Sequence, residues 1–178
     1  MDKKKICMEI IENLSHLSTA EGPKKLSLIA FSGDFDKLTA VFTLATGAAA
    51  LGYEVNIFFT FWGLDAIKRR TGRAFVGKGF LPKLFGYLMG GLQVAPCSRF
   101  NFGGIGPRLF RHLMRKNRVA TLEELVEAAK ALGIRLYACE MAAQVLGLQK
   151  SDFIPEVKEV VGVASFLKLS EGGRILFI

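Results

Sequence analysis

The chain has 178 residues, 51% of them hydrophobic and 15 of them Phe, with a formal net charge of +8. That length suggests one domain, large enough to bury a real core. Three cysteines without regular spacing do not make a disulfide framework; Cys7, Cys97 and Cys139 read as reduced thiols of a cytoplasmic protein. The positive charge fits an anionic ligand or partner, or simply a basic soluble protein. The basic residues are scattered through "KKK", "KRR" and "RLFRHLMRKNR" without interleaved aromatics, so no nucleic acid is expected. Peripheral membrane contact is not expected either.

The opening "MDKKKICMEIIENLSHLS" lacks a long apolar stretch and a small-residue cleavage site, so a signal peptide is not expected. Ile6, Ile10, Leu14 and Leu17 recur at helical spacing instead, predicting an amphipathic helix over residues 3–17. "LSLIAFSGD" reads as a buried strand over residues 26–31, ending in a polar turn. "FDKLTAVFTLATGAAALG" reads as a helix stopped by Gly52, and "YEVNIFFTFWG" as a second strand. The apolar region 38–64 is interrupted by Gly47, Gly52, Glu54 and Asn56. A buried helix and strand therefore explain it better than a membrane span. The strand–helix–strand unit predicts a right-handed parallel crossover.

"LDAIKRRTG" predicts a short helix and "FLPKLFGYLMGG" another, apolar on most sides. "QVAPCSRFNFGGIG" reads as a long loop, and Pro107 suits the first turn of a helix reaching Lys116. "TLEELVEAAKALG" is the clearest helix, with Thr121 and Glu124 at capping-box spacing and Gly133 as its stop. "IRLYAC" follows as a strand, then a short helix over residues 140–146. "VKEVVGVASFLKLSEGG" reads as a helix or turn and "RILFI" as a terminal strand. Strands alternating with helices predict a doubly wound α/β sheet, mostly parallel, with helices on both faces. Such sheets bind ligands outside the carboxyl ends of their strands. Ser32, Gly33 and Asp34 should therefore converge with Phe61, Trp62 and Gly63, and with Cys139 after a later strand.

At a helix start, a Cys139 thiolate would gain from unpaired backbone N–H groups and the dipole, whereas the Glu140 carboxylate would oppose it. Position alone leaves Cys139 even between nucleophile and core packing. Cys97 reads as an incidental loop thiol and Cys7 as packing. His16 and His112 pair with no cysteine at metal-site spacing, so no metal is expected. Asp34 or Asp36 is placed to cap the helix that follows. "GGIGPR" precedes a helix but lacks phosphate-loop or dinucleotide spacing. Arg108, Arg111 and Arg115 form one basic stripe, a solvated face or a guide for an acidic partner.

"FTFWGL", "FNFGGIG", "ATLEELVEAAKALGIRLYACEM" and the ending "GVASFL" together carry a family resemblance. The chain resembles the DsrE/DsrF-like (DsrEFH) sulfur-relay proteins, in particular the small branch sometimes labelled peroxiredoxin-like. It departs from that branch at Phe102, where Met is frequent, and at Ala142 and Ala143, where Ser and Met are common. The resemblance implies a flavodoxin-like α/β fold, a single DsrE-like domain over residues 1–178 with an N-terminal helix over 1–20, and a homo-oligomer, a trimer or a multiple of it. It also implies sulfur held as a persulfide on Cys139 and passed between donor and acceptor proteins, with no cofactor. Ser32, Gly33, Asp34, Phe61, Trp62, Gly63, Asn101 and Met141 are then the candidate surroundings of the sulfur. Two rivals remain at this level. One is a non-catalytic protein that binds a nucleotide or other anion in the same strand-end pocket. The other is a thiol peroxidase, for which the Thr-x-x-Cys arrangement is missing around Cys139.

Overall fold

A computed structural model describes residues 24–69, 95–99 and 101–178. The helices expected over residues 3–17 and over "FLPKLFGYLMGG" lie outside the described residues.

The hydrophobic alternation of the first strand produces β1 (Lys25–Ala30), with Leu26, Leu28 and Ala30 buried on one face. α1 (Phe35–Ala50) buries Phe35, Leu38, Val41, Phe42 and Ala45, one apolar stripe at helical spacing. It stops where Gly52 takes a φ of 80°, a conformation that favours glycine. β2 (Glu54–Phe59) runs parallel to β1, with Lys25 beside Glu54 and Ala30 beside Phe59. The expected helix beyond it is a tight 3-10 segment, Phe61–Ile67. α2 (Ile105–Lys116) follows a short 3-10 turn, Phe102–Gly104. α3 (Leu122–Ala131) has the complete capping box: Glu124 N–H donates to Thr121 Oγ1 and Thr121 N–H to the Glu124 carboxylate, at 3.4 and 2.7 Å. β3 (Arg135–Cys139) then runs without a gap into α4 (Glu140–Val145). β4 (Val157–Val161), α5 (Val163–Leu169) and β5 (Arg174–Phe177) complete the described chain.

The five strands are all parallel, in the order β4-β3-β2-β1-β5. The single reversal of direction comes at the last crossover, which makes the sheet doubly wound. Successive strand residues face opposite layers. Phe59 meets Phe42 of α1, ring centroids 6.3 Å apart, and α1 packs on α3. Its neighbour Phe58 points the other way and stacks on Phe166 of α5 at 4.4 Å. On that second face Ser170 Oγ donates to Ser27 Oγ at 2.8 Å, tying the end of α5 to β1.

"VKEVVGVASFLKL" holds both a strand and a helix where the sequence reading had a helix or turn. β4 is an edge strand, and Lys158 and Glu159 are exposed in its middle. Charges at an edge break the alternation that marks a strand, while discouraging pairing with another chain. No helix among the described residues is long and apolar enough to cross a membrane.

Candidate functional site

The 32–34 turn and the 61–63 turn interlock at the carboxyl ends of β1 and β2. Gly63 N–H donates to Phe31 O and Thr60 N–H to Ala30 O, at 2.9 and 3.0 Å. A β-carbon on Gly33 would lie 2.7 Å from the Trp62 carbonyl oxygen, and one on Gly63 would collide with the Ala30 carbonyl oxygen. Both glycines are therefore required by close backbone approach. Ser32 is buried; its Oγ donates to the Asp34 carboxylate and accepts from Asp34 N–H, while Lys37 pairs with the same carboxylate at 3.0 Å.

Asp34 occupies the position before α1, yet its side chain makes no capping bond. The capping role expected of Asp34 or Asp36 falls to the backbone of a distant loop: Phe35 N–H donates to Pro96 O at 2.7 Å. Asp36 holds that loop, accepting from Ser98 N–H and Ser98 Oγ at 2.8 and 2.5 Å. Burial opposes its charge, but the Ser98 hydrogen bonds prevail and hold Asp36 below the usual carboxylate range. Cys97, read from sequence as an incidental loop thiol, is thereby buried beside the start of α1. Burial first and the Asp36 charge second push its thiol up, against the pull of Arg111. It is a poor thiolate.

Cys139 ends β3, between β2 and β4, and is only 1% exposed. It is the residue before α4, in extended backbone, and its sulfur makes no capping hydrogen bond to that helix. α4 and the end of β3 both pack against the 61–67 segment, so the 61–63 turn and Cys139 share one end of the sheet. Phe61, Trp62 and Met141 are exposed rather than closing a pocket. Phe61 has a φ of 45°, uncommon for a side-chain-bearing residue, and its ring lies 5.5 Å from Phe31. Phe31 in turn lies 5.7 Å from Phe177, making an aromatic rim beside the interlocked turns.

Asn101 lies before the 3-10 turn that leads into α2. Its carbonyl accepts from Gly104 N–H and Gly106 N–H, at 2.8 and 3.3 Å. Those amides of the glycine-rich stretch are thus occupied, which removes the simplest way for "GGIGPR" to cradle an anion. Sequence reasoning missed Gly162, which follows β4. A β-carbon there would lie 3.5 Å from Glu140 Oε2, so that carboxylate reaches across to the β4–α5 junction. It also missed the buried Lys68–Asp65 ion pair, 2.6 Å long, at the end of the 61–67 segment. Val157, Val160 and Val161 around the charges of β4 were the available signal for the first. The i,i+3 spacing of Asp65 and Lys68 was the local signal for the second, although it does not announce the burial of the pair. No group of three or more His, Cys, Asp or Glu suited to a metal occurs among the described residues.

The model of the DsrE/DsrF/DrsH-like family matches residues 22–178. YrkE of Bacillus subtilis (strain 168), an uncharacterized protein, is 41% identical over 160 residues, covering 89% of this chain and 99% of that protein. The sulfur carrier protein DsrE2 of Allochromatium vinosum is 32% identical over 149 residues, covering 83% of this chain and 92% of its own. Among solved structures, the ychN protein from E. coli is matched with a TM-score of 0.47 at 11% identity, over 87% of this chain and 99% of that one. On the family match and these identities, the chain belongs to the DsrE/DsrF/DrsH-like family.

Proposed function

We propose that this protein carries sulfur as a persulfide on Cys139 and passes it to an acceptor protein by thiol–persulfide exchange. The observation that carries the reading is the place of Cys139. It is buried at the carboxyl end of an inner strand, beside the interlocked 61–63 turn, in a chain similar to a protein named a sulfur carrier. In the loading step the Cys139 thiolate attacks the outer sulfur of a donor persulfide. A new S–S bond forms on Cys139, the donor's S–S bond breaks, and the donor leaves as a thiolate. Delivery is the same exchange in reverse, with the acceptor thiolate attacking the outer sulfur. No net oxidation occurs in either step, and neither calls for a metal or organic cofactor.

Burial has two consequences for that chemistry. It shields the loaded sulfur from small reductants, and it requires α4 or the 61–63 turn to yield before a protein thiol can reach it. α4 has six residues, so its displacement breaks few backbone hydrogen bonds. Phe61, Trp62 and Met141 then provide an apolar rim for the approaching partner, with Ser32, Gly33, Asp34 and Gly63 holding the turns beneath. Asn101 belongs to the start of α2, and we give it no direct part. The protein is also proposed to form a homo-oligomer. The apolar residues of the edge strand β5, Ile175, Leu176 and Phe177, are all exposed and favour this. Light scattering at the mass of one chain would oppose it.

The test of the sulfur reading is intact mass after incubation with a persulfide donor. The parent gains the mass of one sulfur atom and loses it to an added acceptor thiol, whereas Cys139→Ser gains none and Cys97→Ser loads normally. Equal loading of Cys139→Ser and the parent refutes the reading.

A further inference from the structure

We propose that the outer face of α2 is a docking surface for an amphipathic helix of an acidic partner protein. The proposal concerns binding alone and stands whether or not Cys139 carries sulfur. Ile105, Leu109, Phe110 and Leu113 leave between 42% and 63% of their surface exposed. Ile105, Leu109 and Leu113 recur every four residues, so they form one continuous apolar ridge. Beside it runs a second ridge of Arg108, His112 and Lys116, also every four residues and all exposed.

The helix is fixed in place from behind. Gly106 and Pro107 are buried, and Met114 packs against the core. The Arg111 guanidinium lies 4.8 Å above the Phe35 ring and donates to Glu123 at 3.1 Å. A rigid helix presenting apolar knobs at turn spacing, with cations along one side, fits a helix-in-groove or helix-on-helix contact.

Charge selects the occupant. Arg108 and Lys116 are in no ion pair among the described residues, so carboxylates edging an apolar seam on the partner would complement them. A second copy of this chain brings its own charge of +8 and is the poorer match. A lipid surface calls for cations along both margins of the apolar face. Here one margin carries them, and the other, through Gly106 and Met114, is packed into the protein. Phe35 begins α1 directly after the 32–34 turn, so a partner held on α2 would sit towards the same end of the sheet as the interlocked turns.

The test uses the full chain and a fluorescein-labelled synthetic helix with a leucine seam and glutamates along one margin, read by fluorescence anisotropy. The parent is expected to bind it, more weakly as salt rises. Leu109→Ser, and separately Arg108→Glu with Lys116→Glu, should each weaken binding about tenfold or more. The charge-reversed chain should regain binding to a peptide whose glutamates are replaced by lysines. No binding by the parent, or equal binding by all variants, overturns the proposal. So does a face that answers only to phosphatidylglycerol vesicles, or one whose sole Leu109-dependent property is self-association in sedimentation.

Discussion

Gly63→Ala tests the interlock of the two turns on which the site rests. Gly63 is buried, and its N–H donates to both Phe31 O and Thr60 O at 2.9 Å. A β-carbon there collides with the Ala30 carbonyl oxygen and lies 2.9 Å from the Ala30 carbonyl carbon. Both atoms are strand backbone, so neither can swing aside as a side-chain tip would. The 61–63 turn must lift from β1. Such overpacking costs about 1–3 kcal/mol, and loss of the hydrogen bond to Phe31 adds about 1 kcal/mol. The sum, about 2–4 kcal/mol, lowers Tm by about 5–15 °C for a chain of this size. Trp62 is the chain's single tryptophan and adjoins Gly63, so its fluorescence during urea unfolding reads both stability and the state of the turn. Gly47→Ala is the matched control. Nothing lies within 4 Å of a β-carbon there, and the residue is inside α1, so alanine should stabilise by about 0.5–1 kcal/mol. If Gly63→Ala unfolds at the parent's midpoint while Gly47→Ala shifts upward, the interlock is wrong.

Lys68→Met removes the buried ammonium that pairs with Asp65 and should cost about 3 kcal/mol in urea unfolding; an unchanged midpoint refutes the pairing. Phe166→Ala removes the ring stacked on Phe58 and should cost about 3–5 kcal/mol. A loss below about 1 kcal/mol would show that α5 does not cover that face of the sheet. Asp36 is held below its ordinary value of 3.8, so its contribution to stability is full above that value and fades as pH falls through the lower folded one. Asp36→Asn should therefore flatten the dependence of the unfolding midpoint on pH from about 5 down to 2. A parallel curve for the two proteins contradicts the Ser98 anchor.

Local chemistry made much of this molecule legible. The apolar stripe of α1, the capping box of α3, and the β-branched and aromatic run of β2 each specify their element through neighbours a few residues away. The same holds for the junction of Cys139 with α4, since a strand pattern meets a helical one at that residue. β4 escaped because an edge strand tolerates Lys158 and Glu159 where an inner strand would not, and the alternation was lost with them.

Local pattern along the chain specifies the alternation of strands and helices and the parallel crossover class, and from these the fold reading predicts three segments at the carboxyl end of the sheet. What those segments do to one another depends on contacts that arise once the chain has folded. Phe35 and Pro96 are joined by a backbone hydrogen bond across 61 residues of chain, and Asp36 meets Ser98 in the same closure. Glu140 turns towards Gly162, beyond the reach of any local pattern. The physical reason is the same in each case. Periodicity and propensity report contacts made within a turn or a strand, whereas burial of a thiol and the partner of a carboxylate depend on which distant segment arrives beside them.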